Sequence, residues 1–178
     1  MDISSFVPLF TREAIAAKVA EMGRRIAEDF RDEPLVCVCV LRGAFMFFAD
    51  LVRAIPKEDL YVDFIRISSY GKSTVSSGHV SLHTDLAFDV EGKNVLVVED
   101  VVDSGRSLRF LLDMLAARKP RRLACAVLVD KHARREVKVD PDYVGFSMDD
   151  GFIVGYGLDY AGKMRNLPEI RVPEQELR

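Results

Sequence analysis

The sequence predicts an α/β protein built on a mostly parallel, twisted sheet flanked by helices, and two observations carry that prediction. Residues 35–41, 95–98 and 123–129 are near-continuous apolar runs rich in β-branched side chains, the pattern of strands covered on both faces. Two of these runs pass through a short glycine-bearing turn into helical spacing: Arg42-Gly43-Ala44 before Phe45, and Asp103-Ser104-Gly105-Arg106-Ser107 before Leu108.

In chain order, Thr11 can cap a first helix whose apolar positions Ile15, Val19, Met22, Ile26 and Phe30 recur every three or four residues. The strand over 35–41 follows, then a helix expected to present Phe45, Phe48, Ala49 and Val52 on one face. Residues 60–69 and 79–85 read as two strands around a polar segment, 70–78, that has no apolar period and is expected to be mobile. The strand over 95–98, a helix over 104–117 with the stripe Leu108, Leu111, Leu112 and Leu115, and the strand over 123–129 form a βαβ unit; Lys119-Pro120 ends the helix. Short strands near 143–146 and 152–154 are expected to finish the core.

The length suits one domain over residues 1–178, with neither linker nor repeat. A net charge of -3 without a basic tract argues against nucleic acid as a partner. The longest apolar runs are interrupted by Arg42 and fall short of the ~18 residues of a membrane span. Met1-Asp2-Ile3-Ser4 lacks the features of a signal peptide, so a cytoplasmic protein is expected. Cys37 and Cys39 face one side of a buried strand and Cys125 lies in an apolar run, which favours packing over a metal site. His79, His83 and His132 show no ligand spacing with one another.

Chemistry concentrates after the strand at 95–98. Glu99, Asp100 and Asp103 fall within five positions, and open α/β sheets bind ligands beyond the carboxyl ends of their strands. Such crowding costs repulsion unless hydroxyls, a metal ion or a protonated group meet the charges. Ser104, Gly105, Arg106 and Ser107 open a helix whose first N–H groups are unpaired and whose dipole is positive, an anion cradle that glycine lets a ligand approach. A diol for the acids and a phosphate for the loop together describe a ribose 5-phosphate unit.

The run Glu99-Asp100-Val101-Val102-Asp103-Ser104-Gly105-Arg106-Ser107 resembles the phosphoribosyl-diphosphate (PRPP) signature of the type I phosphoribosyltransferases, with Ser104 and Ser107 where threonines are common. Segments 129–131, 142–146, 152–160 and 165–168 closely resemble the hypoxanthine-guanine members, so that the likeness runs from about Leu35 to Pro168. The resemblance implies a type I phosphoribosyltransferase fold with a flexible hood loop and a small base-binding subregion. It implies Mg2+-dependent purine salvage, with the substrates PRPP, hypoxanthine and guanine and the products IMP, GMP and diphosphate, in a homodimer or homotetramer.

By the same resemblance, Lys131 bonds the purine 6-oxo group, Phe152 stacks on the base and Ile153 offers backbone groups to its edge. Asp159, beside these purine-binding residues, holds magnesium, and Arg165 binds diphosphate. Arg42-Gly43 matches the loop that grips diphosphate, often through a non-proline cis peptide, with Arg42 where some members carry lysine. Ser69-Tyr70 matches the characteristic pair of the hood, whose closure excludes water from a reactive sugar cation. Glu99 and Asp100 hold the ribose hydroxyls, directly or with magnesium between, and Asp103 is the candidate general base.

Other readings stand beside these. Lys131 alone reads as a solvated strand end, Phe152 alone as core, and Asp159 with Arg165 as a surface ion pair. Gly71-Lys72-Ser73 is not a P-loop, because Arg66 stands where its first glycine is required. A PRPP-sensing regulator and a transferase for xanthine, adenine or uracil are the rival functions.

Overall fold

The structure, a computed structural model, describes residues 5–69 and 80–177. Tyr70 of the expected hood pair, the rest of the polar segment 70–78 and His79 lie outside the described residues. Six strands form one sheet in the order β4-β3-β2-β5-β6-β7. They are β2 (Leu35–Leu41), β3 (Leu60–Ser69), β4 (Val80–Thr84), β5 (Asn94–Val102), β6 (Arg122–Lys131) and β7 (Tyr143–Met148). Every pairing is parallel except that of the edge strand β4 with β3.

Alternation along the central strands sorts the core into two layers. Leu35, Cys37 and Cys39 of β2 face the helices α1 (Arg12–Asp29) and α2 (Phe45–Ala54), whereas Val36, Val38 and Val40 face α3 (Arg106–Ala116). All three cysteines are free and buried, and desolvation pushes the Cys37 and Cys39 thiols up to about 12. Thr11 caps α1 as expected, its Oγ1 accepting from Ala14 N at 3.2 Å, and the predicted apolar stripe is buried.

Three expectations need correction. The buried face of α2 is Phe47, Phe48 and Leu51, while Phe45 and Ala49 are exposed. Four consecutive apolar residues, Phe45-Met46-Phe47-Phe48, fit more than one helical face, and the one observed puts Phe47 and Leu51 into the core beside Phe48. Residues 152–154 form no strand; Val154 makes one isolated bridge with Arg171. Asp103 and Ser104 precede α3, which is capped by Gly105, and β5 runs on through Glu99 and Asp100 to Val102.

A small second sheet pairs β1 (Phe6–Phe10) antiparallel with β8 (Ile170–Pro173), neither of which the periodicity announced. A 3-10 turn, Glu174–Leu177, follows. Among the described residues no helix is long and apolar enough to cross a membrane.

Candidate active site

The carboxyl ends of β2, β5 and β6 converge with the turns between β7 and β8. Glu99, the sixth of the nine residues of β5, is buried, and burial with the neighbouring Asp100 carboxylate pushes its carboxyl well above the usual range. Asp100 Oδ1 accepts from Val101 N at 2.9 Å. The Asp100 carboxylate lies against the Cα of Gly43, where any Cβ would overlap it, and the opposite side of that turn is just as close. There the Gly43 carbonyl leaves no room for a side chain on Gly157, which has φ +102°. Glycines at 43 and 157 thus let the β2–α2 turn, with its cis peptide between Leu41 and Arg42, sit between the β5 acids and the 155–157 turn. Arg165 completes this cluster, donating to Gly157 O at 2.6 Å and pairing with Asp159.

The loop after β5 is held from below. Gly105 has φ +82°, and a Cβ there would come within 2.5 Å of Val137 O. Ser104 O accepts from Glu136 N at 2.9 Å and Val137 N at 3.0 Å, and Arg106 pairs with Glu136. No acidic side chain occupies the first turn of α3, leaving the positive end of the dipole uncompensated by the helix itself.

Asp103 stands between this loop and a cavity of about 740 Å³, whose wall also includes Lys131, Arg134, Gly151 and Phe152. The volume suits a small heterocycle with room for the atoms it reacts with. Asp103 Oδ1 is buried and accepts no hydrogen bond, while Oδ2 faces Arg134 at 3.9 Å. Lys131 ends β6 as a buried residue and donates from Nζ to Gly151 O. The Phe152 ring is about 39% exposed, edge-on to Tyr160 at 5.7 Å and 6.4 Å from Phe6. Ile153, adjacent, turns its side chain into the core.

The sequence profile described as the phosphoribosyl transferase domain matches residues 9–161. This chain belongs to the phosphoribosyltransferase family. It is 43% identical to the hypoxanthine-guanine phosphoribosyltransferase of Bacillus subtilis, with 92% of this chain and 91% of that protein covered. It is 46% identical to the hypoxanthine phosphoribosyltransferase of Escherichia coli, with 88% of each covered. A crystal structure of a hypoxanthine-guanine phosphoribosyltransferase from Bacillus anthracis superposes with a TM-score of 0.86 at 45% identity, covering 93% of this chain and 96% of that one. The bifunctional protein TilS/HprT of Listeria monocytogenes is 42% identical over 95% of this chain, which spans about a quarter of that relative (26%).

Within this type I phosphoribosyltransferase fold, the expected residues fall into two groups. Asp103, Lys131 and Phe152 share the cavity, whereas Arg42, Gly43, Asp100, Asp159 and Arg165 cluster about the 155–157 turn. The ion pair of Asp159 with Arg165 is present, so one of these acids is already engaged. Among the described residues no three His, Cys, Asp or Glu side chains gather as a metal cage, so Glu99, Asp100 and Asp159 are not a preformed ligand set.

Sequence reasoning missed Arg134, Arg135 and the cavity wall from Leu9 and Val172. The run His132-Ala133-Arg134-Arg135-Glu136 reads as a solvated charged loop, and no spacing in it marks one arginine as inward.

Proposed function

We propose that this phosphoribosyltransferase moves the 5-phosphoribosyl group of PRPP onto hypoxanthine and guanine in purine salvage, releasing diphosphate and forming IMP or GMP. The observation that carries the reading is the Asp103 carboxylate. It lines a cavity shared with a lysine and an aromatic ring, next to the glycine-capped start of α3, and one of its two oxygens is buried without a hydrogen-bond donor. The bacterial relatives named for this activity align over most of their length, which supports the same substrates here.

In this reading, breaking the bond from ribose C1 to diphosphate develops positive charge on the sugar and further negative charge on the leaving group. A ring nitrogen of the purine attacks C1, and Asp103 takes the proton from the imidazole ring. Lys131 donates to the 6-oxo oxygen, Phe152 stacks on the base and Ile153 meets its edge with backbone groups. Loop amides of residues 104–107 hold the 5-phosphate, as the N-terminus of a helix does for anions. Arg165 and the Arg42-Gly43 turn hold the diphosphate, and Ser69-Tyr70 belong to the hood.

Glu99 and Asp100 grasp the ribose hydroxyls. Hydrogen bonds to charged groups contribute only ~1.5–3 kcal/mol each, whereas enzymes lower barriers by about 8–23 kcal/mol, so alignment of the reactants supplies much of the rest. Magnesium keeps several waters and needs only one or two carboxylates beside substrate phosphate oxygens. Asp100, whose carboxylate faces the Gly43 turn, and Asp159, which pairs with Arg165, would supply that partial donor set, with the buried Glu99 beside Asp100 in sequence. Bound there, the ion would neutralise the diphosphate.

Three buried, unpaired cysteines suit the reducing cytoplasm. Val62 and Phe64, exposed on one face of β3, support a homodimer or homotetramer. A spectrophotometric assay with PRPP, Mg2+ and each of hypoxanthine, guanine, xanthine and adenine tests the activity. Turnover of hypoxanthine and guanine without adenine is expected, and no turnover of any oxopurine overturns the reading.

A further inference from the structure

We propose that Arg135 is a positioning residue for the transfer: its guanidinium fixes the backbone that aims Asp103 and ties it to the strand end that carries Lys131. The side chain is only 18% exposed and fans out to four acceptors on three segments. Nε donates to Asp103 O at 3.0 Å, Nη1 to Val139 O at 2.9 Å, and Nη2 to Lys131 O at 2.9 Å and to the Asp130 carboxylate. A planar fork with five N–H donors can satisfy acceptors diverging in this way; a lysine ammonium at the tip of a flexible stem cannot.

The need for such a strut follows from Asp103 itself. Its Oδ1 accepts no hydrogen bond and its Oδ2 is 3.9 Å from the exposed Arg134, so little at the carboxylate end sets its direction. Orientation must come from the main chain, and Arg135 bonds the carbonyl of that very residue. The same segment carries the next residue along, since Glu136 N and Val137 N both donate to Ser104 O. Residues 135–139 therefore form a shelf under the 103–105 loop. The shelf is attached through Arg135 to the end of β6, which holds the base side of the site.

The inference rests on the reading of Asp103 as the base, and the test separates the two. Steady-state kinetics and thermal melting are measured on Arg135→Lys, Asp103→Asn and the double variant. Asp103→Asn is expected to lower kcat by about 100-fold or more, within the usual range for a general base. Arg135→Lys is expected to lower kcat by about 10- to 100-fold, since misplacing a reacting group by about 1 Å can cost that much, with both KM values within about threefold of wild type. Residues acting through one group are not additive, so the double variant should fall within about twofold of Asp103→Asn alone.

A purely structural Arg135 would instead subtract the same factor in both backgrounds, and that result overturns the proposal, as does wild-type kcat in Arg135→Lys. Near wild-type kcat in Asp103→Asn sinks the base reading and takes this inference with it. Should Arg135→Lys fail to fold, Asp130→Asn loosens only one of the four bonds. It must then show a smaller kcat loss that disappears in the Asp103→Asn background, and unchanged kcat overturns the proposal.

Discussion

The two ends of the main sheet treat charge in opposite ways. Where β2 and β5 begin, Asn94 donates to Glu33 at 2.6 Å and to Pro34 O at 3.2 Å, and Arg121 pairs with Glu33 at 2.5 Å. Nearby, Arg122 lies over the Phe30 ring and donates to Asp29 O, while the Tyr143 hydroxyl donates to the Asp29 carboxylate. Where β5 ends, Glu99 is buried beside Asp100 with no ion pair to either among the described residues, and Asp103 keeps an unsatisfied oxygen. Burial of uncompensated carboxylates costs folding free energy, so the second arrangement has no stability rationale and marks where ligand groups must complete the structure.

The largest effect that would sharpen this contrast comes from Gly105→Ala. A left-handed non-glycine residue costs about 1–3 kcal/mol, and its Cβ would also press on Val137 O at 2.5 Å. We expect a lowered melting temperature and a kcat/KM for PRPP reduced by about 100-fold through displacement of the loop proposed to hold the 5-phosphate.

Next in size is Glu99→Gln, which should stabilise and inactivate together. Because the folded carboxyl titrates above its unfolded value, wild-type stability is fully present below the ordinary carboxylate range. It is lost as pH rises toward the raised folded value. The glutamine variant escapes that loss, so its advantage in urea unfolding should be near zero at pH 4 and reach about 1–3 kcal/mol by pH 8, with kcat/KM for PRPP down about tenfold. An advantage that does not change with pH would break the account of Glu99.

The smallest effect belongs to the other end. Arg121→Ala removes a solvent-exposed pair and should cost no more than about 1 kcal/mol, with kcat/KM within about twofold of wild type. A kinetic loss there comparable to that of Glu99→Gln would erase the division between the two ends.

Much of this plan is legible in the sequence because burial on both faces leaves a plain mark. The runs at 35–41, 95–98 and 123–129 each lie within an observed strand, and the spacing from Leu108 to Leu115 lies within α3. Phe45-Met46-Phe47-Phe48 is the opposite case: an unbroken apolar run holds no phase, so packing against the rest of the core decides that Phe47 and Leu51 turn inward with Phe48. Strands β1 and β8 stay hidden because Phe6 and Pro173 find each other across the whole chain and a proline interrupts the alternation at Pro8. In the site, crowded acids before a glycine turn are visible from composition and order alone. Arg135 is not, since what distinguishes it from Arg134 is the direction of a side chain, settled by carbonyls contributed from β6 and two loops.

The pairing of β1 with β8 also sets an order of assembly. Leu9 and Val172, from those two strands, wall the cavity beside Phe152, and Arg171 reaches Phe6 O across 165 positions. On a ribosome adding about 5–20 residues per second, every strand of the main sheet is made before residues 170–173 emerge. Glu99, Asp100, Asp103 and the loop after β5 are therefore synthesised while the cavity beside Phe152 still lacks the wall that Val172 supplies.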